Sequence, residues 1–367
     1  MNVELLIYIY LFVCIAMIFF NIVCVFVFQH NDKQLDRHSV LFTEKVRRQI
    51  EKEEEREAHL QYLTKKLRRI GNLMAFDKTL EQMYAQDPAG TQAYIESIYP
   101  AFVSLAQEYR KRSKLQAAYF PYLIKKYGIF RGQTIRVISD TLLEMVRDPN
   151  LYCRENALQA LYAIGNAETV VEALEILDAG PHYHHAKLIT DGLMGFSGDT
   201  AHLGELLWLH LSKLSAEMRV AILNYFRFSS GDYCPQMLRL MTDNGQDNEV
   251  RYCCIRYFGK YRYDPAYPYL LDFLENEREE NWEYAAIAAT ALSSYPSERS
   301  VEILKEKLSS VNWYVRFNAA QSLAALGVGY MQLVDVFEGS DRYADEMIRY
   351  RLDQKRMREM EGKPDES

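Results

Sequence analysis

The hydrophobic pattern opens with an unbroken run. Leu5 to Phe28 (LLIYIYLFVCIAMIFFNIVCVFVF) is 24 residues without a charge. A bilayer core takes about 20 apolar helical residues, so residues 1–30 are predicted to form one membrane anchor. A cleaved signal peptide would want a basic start, a shorter apolar run and small residues at its end, none of which is present. From 31 to 74 the pattern turns to Glu, Lys, Arg and Gln, with apolar positions at Val46, Ile50, Leu60, Leu63, Leu67 and Ile70. The later ones follow the 3–4 spacing of an amphipathic helix, which predicts a charged juxtamembrane helix. The stretch EKEEERE (51–57) lacks any apolar residue and argues against a long coiled coil. The helix is read as a solvated stand-off, with self-association through it as the sharper alternative.

Beyond residue 147 the pattern repeats. With Arg154 as a reference, apolar or small residues fall one before it (Cys153) and three, six and seven after it (Ala157, Ala160, Leu161). Gly165 then breaks the helix and a second apolar stretch follows (Val170, Leu174, Leu177). The template recurs at Ala186, Arg219, Arg251, Ala285 and Arg316, at spacings of 32, 33, 32, 34 and 31 residues. Each unit is predicted to be two helices of 10–14 residues. One such hairpin cannot bury its apolar face alone, so neighbours must stack. Arg154, Arg219, Arg251 and Arg316 are read as structural arginines that bond the preceding turn, near Asp148 and Asp247 in two cases. Residues 75–146 are predicted to be a degenerate helical start, with one helix over 91–112 that contains Pro100. Residues 341–367 are predicted to be a charged helix followed by a frayed tail.

Two segments carry the pattern most fully, DPNLYCRENALQALYAIG and SSVNWYVRFNAAQSLAALG. Here the chain resembles the HEAT repeat of the armadillo-type superfamily, and is similar to the short HEAT units of phycobilisome lyases. The resemblance covers about residues 148–337. It implies an all-α fold: an α-α superhelix, or HEAT/armadillo-type solenoid, of six repeats over 147–340, preceded by the single transmembrane helix and a helical connector. It specifies architecture and says little of function. The lyase-like or small-molecule-handling activity of some members is the enzyme alternative it brings.

Charge adds an orientation. The apolar run has no Lys or Arg before it, whereas Lys33, Arg37, Lys45, Arg47 and Arg48 follow it. The basic flank stays in the cytoplasm, which predicts a single-pass cell-membrane protein with its N-terminus outside and its body inside. Residues 31–70 hold 11 Lys and Arg against 8 Asp and Glu, so the net charge of -7 is carried by the remainder. An acidic body repels phosphate backbones and excludes nucleic acid as the expected partner. The six cysteines show no CxxC pair and suit reduced, buried thiols.

Linear catalytic motifs are absent: there is no Walker loop, GxGxxG, GxSxG or HExxH. The histidine-rich PHYHH (His182, His184, His185) is read as a polar helix start, and no metal or cofactor is expected. On these grounds the chain is expected not to be an enzyme. Aromatic residues are the better clue, because Trp and Tyr anchor interfaces. Tyr261, Tyr263, Trp282, Trp313 and Tyr314 are the candidate partner-binding residues. The expected function is a membrane-anchored cytoplasmic scaffold or adaptor for a membrane-associated protein partner, by analogy in envelope polysaccharide or glycosyltransferase machinery. A sensor that signals through the juxtamembrane helix is a third reading. The short chain, sparse linkers and single anchor suggest a bacterial source.

Overall fold

The structure is a computed structural model that describes residues 3–51, 56–112 and 114–361. The charged residues 52–55, Ser113 and the tail 362–367 lie outside the described residues. Among the described residues every regular element is helical and no strand occurs. The chain divides into two compact units, residues 1–182 with 195–203, and residues 183–194 with 204–367.

The first unit begins with α1 (Val3–Glu51), an uninterrupted helix of 49 residues. Its segment Tyr8–Phe26 has a mean hydropathy of 2.8 and no buried residue, long and apolar enough to cross a membrane. The helix then continues into the body. Ser39, Phe42 and Val46 recur at helical spacing and are buried. They pack against α3 (Ile70–Gln86), where Phe42 meets Phe76 at 5.6 Å between ring centroids. The Thr79 hydroxyl donates to the Ser39 carbonyl at 3.0 Å, and Lys78 pairs with Asp36. From Ser39 onward the connector is therefore no solvated stand-off but the first packing element of the body.

Next come α2 (Arg56–Lys66), α4 (Pro88–Ser97) and α5 (Tyr99–Arg110). The single helix expected over 91–112 is split at Ile98, and Pro100 sits in the first turn of α5. Proline lacks the N–H that a helix interior needs but fits a first turn, where that N–H has no partner anyway. Helices α6 (Lys114–Tyr127), α7 (Arg136–Val146), α8 (Leu151–Ile164) and α9 (Ala167–Ala179) follow. α6 runs along α8, and α7 packs on α8 and α9. Tyr119, Tyr127 and Lys126 of α6 converge on the buried carboxylate of Asp77, with Lys126 Nζ at 2.8 Å. Three donors satisfy a charge that would otherwise be costly to bury.

The second unit contains α10 (Ala186–Met194) and most of α11 (Thr200–His210). Four helix pairs follow: α12 (Ala216–Ser229) with α13 (Cys234–Thr242), α14 (Asn248–Lys260) with α15 (Tyr267–Glu275), α16 (Trp282–Ala291) with α17 (Glu298–Lys307), and α18 (Trp313–Ala325) with the short α19 (Val334–Phe337). The last helix is α20 (Arg342–Glu361). Within this unit α10, α12, α14, α16, α18 and α20 pack one against the next, while α13, α15 and α17 pack on α14, α16 and α18.

The register read from sequence has a structural meaning. Arg154, Arg219, Arg251, Ala285 and Arg316 each occupy the fourth residue of their helix. In four of the five, the residue before the helix caps it with a side-chain oxygen: Asn150, Ser215, Asp247 and Asn312. Ala186 departs from this and is the first residue of α10. The position equivalent to the cap is His182, which is no helix capper, so the helix starts three residues late. There the Lys187 N–H donates to His185 Nδ1 at 3.1 Å. The four template positions are buried in five of the six units, from Cys153, Ala157, Ala160 and Leu161 to Val315, Ala319, Ser322 and Leu323; in the Ala186 unit Ile189, Gly192 and Leu193 are buried but the first position is the exposed His185.

Three of the reference arginines hold the end of the preceding helix or turn, and Arg219 instead reaches forward to the turn after α13. Arg154 Nη1 donates to the carbonyls of Asp148 and Pro149, both at 3.0 Å. Arg251 Nε donates to the Met241 carbonyl at 2.9 Å, and Arg316 Nε to the Ser310 carbonyl. Arg219 Nη1 reaches Gln246 Oε1 at 2.6 Å. In three of the four the acceptor is backbone oxygen, because a helix end leaves carbonyls without intrahelical partners and carries partial negative charge.

Candidate interaction surface

Helix α18 is started by Asn312, whose Oδ1 accepts the N–H groups of Tyr314 (2.8 Å) and Val315 (3.4 Å). Arg316 fixes the same turn from below through the Ser310 carbonyl. Val315 is buried, so the two residues before it in this first turn are turned outward. Trp313 and Tyr314 are 54% and 55% exposed, and Val311 just before them is fully exposed.

These rings form a continuous ribbon. Tyr314 stacks on Trp282 at 5.3 Å and 20°. Trp313 meets Tyr314 edge-on at 5.2 Å and stacks on Phe317 at 4.8 Å. The Arg351 guanidinium of α20 caps the end, 3.9 Å from the Phe317 centroid. Trp282 is the first residue of α16 and follows a 3-10 turn, Glu279–Asn281, with Glu279 and Glu280 exposed. The structure thus brings Trp282, Trp313 and Tyr314 together at the starts of two neighbouring helices.

Tyr261 and Tyr263 lie elsewhere, in the turn after α14. Tyr261 packs on Tyr257 at 4.8 Å and covers Gly231, where a Cβ would come within 2.8 Å of its ring. Tyr263 stacks on Phe258 at 6.1 Å, and its N–H donates to Tyr295 Oη at 3.1 Å. Both are half-buried and belong to the packing of the turn. Phe317 and Arg351 were missed by sequence reasoning. The i, i+4 spacing of Trp313 and Phe317 was a usable signal; Arg351 had none, because its partner is set by helix packing.

Other chemistry-bearing groups are placed as structural parts. Cys153, Cys253 and Cys254 are buried, and burial first, then nearby Asp148, pushes the Cys153 thiol up to about 11. Burial also raises Cys253 and Cys254. Thiols held protonated are poor nucleophiles and poor metal ligands. Among the described residues no group of three or more His, Cys, Asp or Glu is arranged to hold a metal ion. In the first unit an open groove of about 520 Å³ is lined by Arg147, Arg154, Glu172, Glu175 and His182 among others.

No family model and no curated protein sequence matches the chain. Among solved structures it is similar to human deoxyhypusine hydroxylase in complex with glycerol, over 82% of this chain and 97% of that one, at 17% identity and a TM-score of 0.28. Likeness at this level transfers no activity. The expectation that the chain is not an enzyme is withdrawn: the aligned structure is that of an enzyme, and the expectation rested only on absent linear motifs. The absence of linear motifs was a weak ground for that expectation: in stacked helices a site can draw one residue from each of several pairs.

Proposed function

We propose that the chain is a membrane-anchored scaffold whose HEAT-like helical repeats present the Trp282, Trp313 and Tyr314 ribbon to a membrane-associated protein partner. The observation that carries this reading is a continuous aromatic ribbon in which Trp313 and Tyr314, on the capped and packed helix α18, are more than half exposed and Trp282 is half-buried beside them. Buried tryptophans would be core; exposed ones held rigid are what interface hot spots use, because little side-chain entropy is lost on binding. The repeat spacing of 31–34 residues and the shared fourth-position register support the HEAT-like assignment.

The anchor supports the membrane part. Phe26 and Ser39 are 13 residues apart on one helix, which at 1.5 Å per residue is about 20 Å from the end of the apolar segment to the first packed residue of the body. Lys33 and Arg37 lie in this interval, which favours the cytoplasmic side for the body. Confinement to one surface raises the local concentration of a partner held there.

The test is photo-crosslinking in intact membranes, with a photoreactive residue in place of Tyr314 and, as control, in place of Tyr183, which is also exposed. Capture of a discrete protein from position 314 and not from 183 is expected, and Trp313→Ala should abolish it. Capture of no protein at 314 sinks the proposal.

A further inference from the structure

We infer that the ribbon takes a lysine- or arginine-rich segment of its protein partner; this deepens the scaffold reading and rests on it. The first observation is the ring geometry. Trp282 and Tyr314 stack at 20°, so their outer faces are parallel, and Trp313 stands edge-on beside them. Aromatic faces carry negative quadrupole density and attract cations, tryptophan most strongly. The ribbon already binds one cation in this way: Arg351 lies 3.9 Å from the centroid of Phe317 at its end. Among the described residues no cation lies over the rings of Trp282, Trp313 or Tyr314.

The second observation is charge. The segment Arg278-Glu279-Glu280-Asn281-Trp282-Glu283 flanks the ribbon's first ring in sequence with three carboxylates against one guanidinium. Nearby acids are spoken for: Glu275 pairs with Arg299, and Glu277 with Lys307 at 3.0 Å. Glu279 and Glu280 are exposed. Planar guanidinium groups suit such a site doubly, since they stack on rings and form paired hydrogen bonds to carboxylates. The same acidic border repels anionic lipid headgroups, so a cationic protein segment, not a lipid surface, is the occupant that fits.

The experiment uses the full-length chain in zwitterionic lipid nanodiscs. The probes are a fluorescein-labelled octapeptide of alternating Arg and Ser, its uncharged citrulline counterpart, and phosphatidylglycerol vesicles. Anisotropy is expected to show the Arg peptide binding about tenfold tighter than the citrulline peptide, with Trp313→Ala weakening it about tenfold. The double variant Glu279→Gln/Glu280→Gln should weaken it about fivefold and flatten its salt dependence. Both glutamates are exposed, so this variant keeps the test valid if the tryptophan change disturbs folding. Equal affinity for the two peptides, indifference to both variants, or Trp313-dependent binding to the anionic vesicles would each overturn the inference. If position 314 still captures a protein in any of these cases, the cationic inference fails alone and the scaffold reading stands.

Discussion

Tyr257 and Tyr295 do the same job one helix pair apart. The Tyr257 hydroxyl accepts the Tyr233 N–H (3.2 Å) and donates to the Ser230 carbonyl (2.8 Å), and the Tyr295 hydroxyl accepts the Tyr263 N–H. Each pins the turn that follows the preceding first helix, which is one use of a chain with 27 tyrosines. His59 shows the reverse situation, a titratable group that folding disfavours charging. It is buried, 2.8 Å from Tyr94 Oη, and burial, then the charge of Lys45, lower its pKa from the ordinary 6.5. The folded state therefore binds fewer protons than the unfolded chain, so stability is lost as pH falls below about 6.5. His59→Gln should keep a hydrogen-bonding group toward Tyr94 while flattening the melting temperature between about pH 7 and pH 5; an unchanged slope would show that His59 contributes nothing. Gly198 is fixed by space. A Cβ there would lie 2.1 Å from the Gly165 carbonyl oxygen, and Gly165 itself has φ 83°. Gly198→Ala should destabilise the first unit by about 1–3 kcal/mol, the usual size for overpacking. Calorimetry that finds less than about 0.5 kcal/mol would contradict this close approach.

At the scale of the element, caps decide where functional side chains point. Asn312 sets the first turn of α18 and thereby the outward direction of Trp313 and Tyr314. Asn312→Ala should cost about 1 kcal/mol, typical of a lost N-cap, and Asn312→Asp should cost far less. Amide hydrogen exchange checks it: the N–H groups of Tyr314 and Val315 should exchange faster in the alanine variant, and unchanged protection there would remove the cap from the account of the ribbon. Helix α1 makes the complementary point. A run of apolar residues and a run of charged ones looked like two elements, yet both lie on one helix, because nothing between Phe28 and Ser39 breaks helical geometry. The charged half still has a buried face at Ser39, Phe42 and Val46.

At the scale of the molecule, topology is the open functional variable. The basic flank after the apolar segment predicts a cytoplasmic body. Cys253 is buried and would report poorly on this, whereas Val311 is fully exposed. Val311→Cys should be labelled by a membrane-impermeant maleimide only after lysis. Labelling in intact cells would reverse the orientation and move the proposed partner to the other side of the membrane. Cys153, Cys253 and Cys254 are buried, and Cys234→Ser removes the half-buried thiol of the body as a source of background labelling.

The helical class, the long apolar helix and the repeat register were legible because each depends on local composition and periodicity. Apolar or small residues at positions -1, +3, +6 and +7 can face one direction only on a helix, and they are buried in every unit except at His185, the first position of the Ala186 unit. The late start of α10 and the break at Ile98 were less visible, since they turn on single capping and proline positions. Only the tertiary structure could sort the aromatics. Trp282, Tyr314 and Trp313 look no different in sequence from Tyr261 and Tyr263, but ring exposure depends on what the neighbouring helix covers. Trp313 and Tyr314 sit at a helix start left open, Trp282 is half-buried where Tyr314 stacks on it, and the other two fill a turn. Periodicity is a property of one helix and can be read along the chain; a surface is made by several helices, and the contacts between helices that build the ribbon, Trp282 with Tyr314 and Phe317 with Arg351, join residues far apart in sequence.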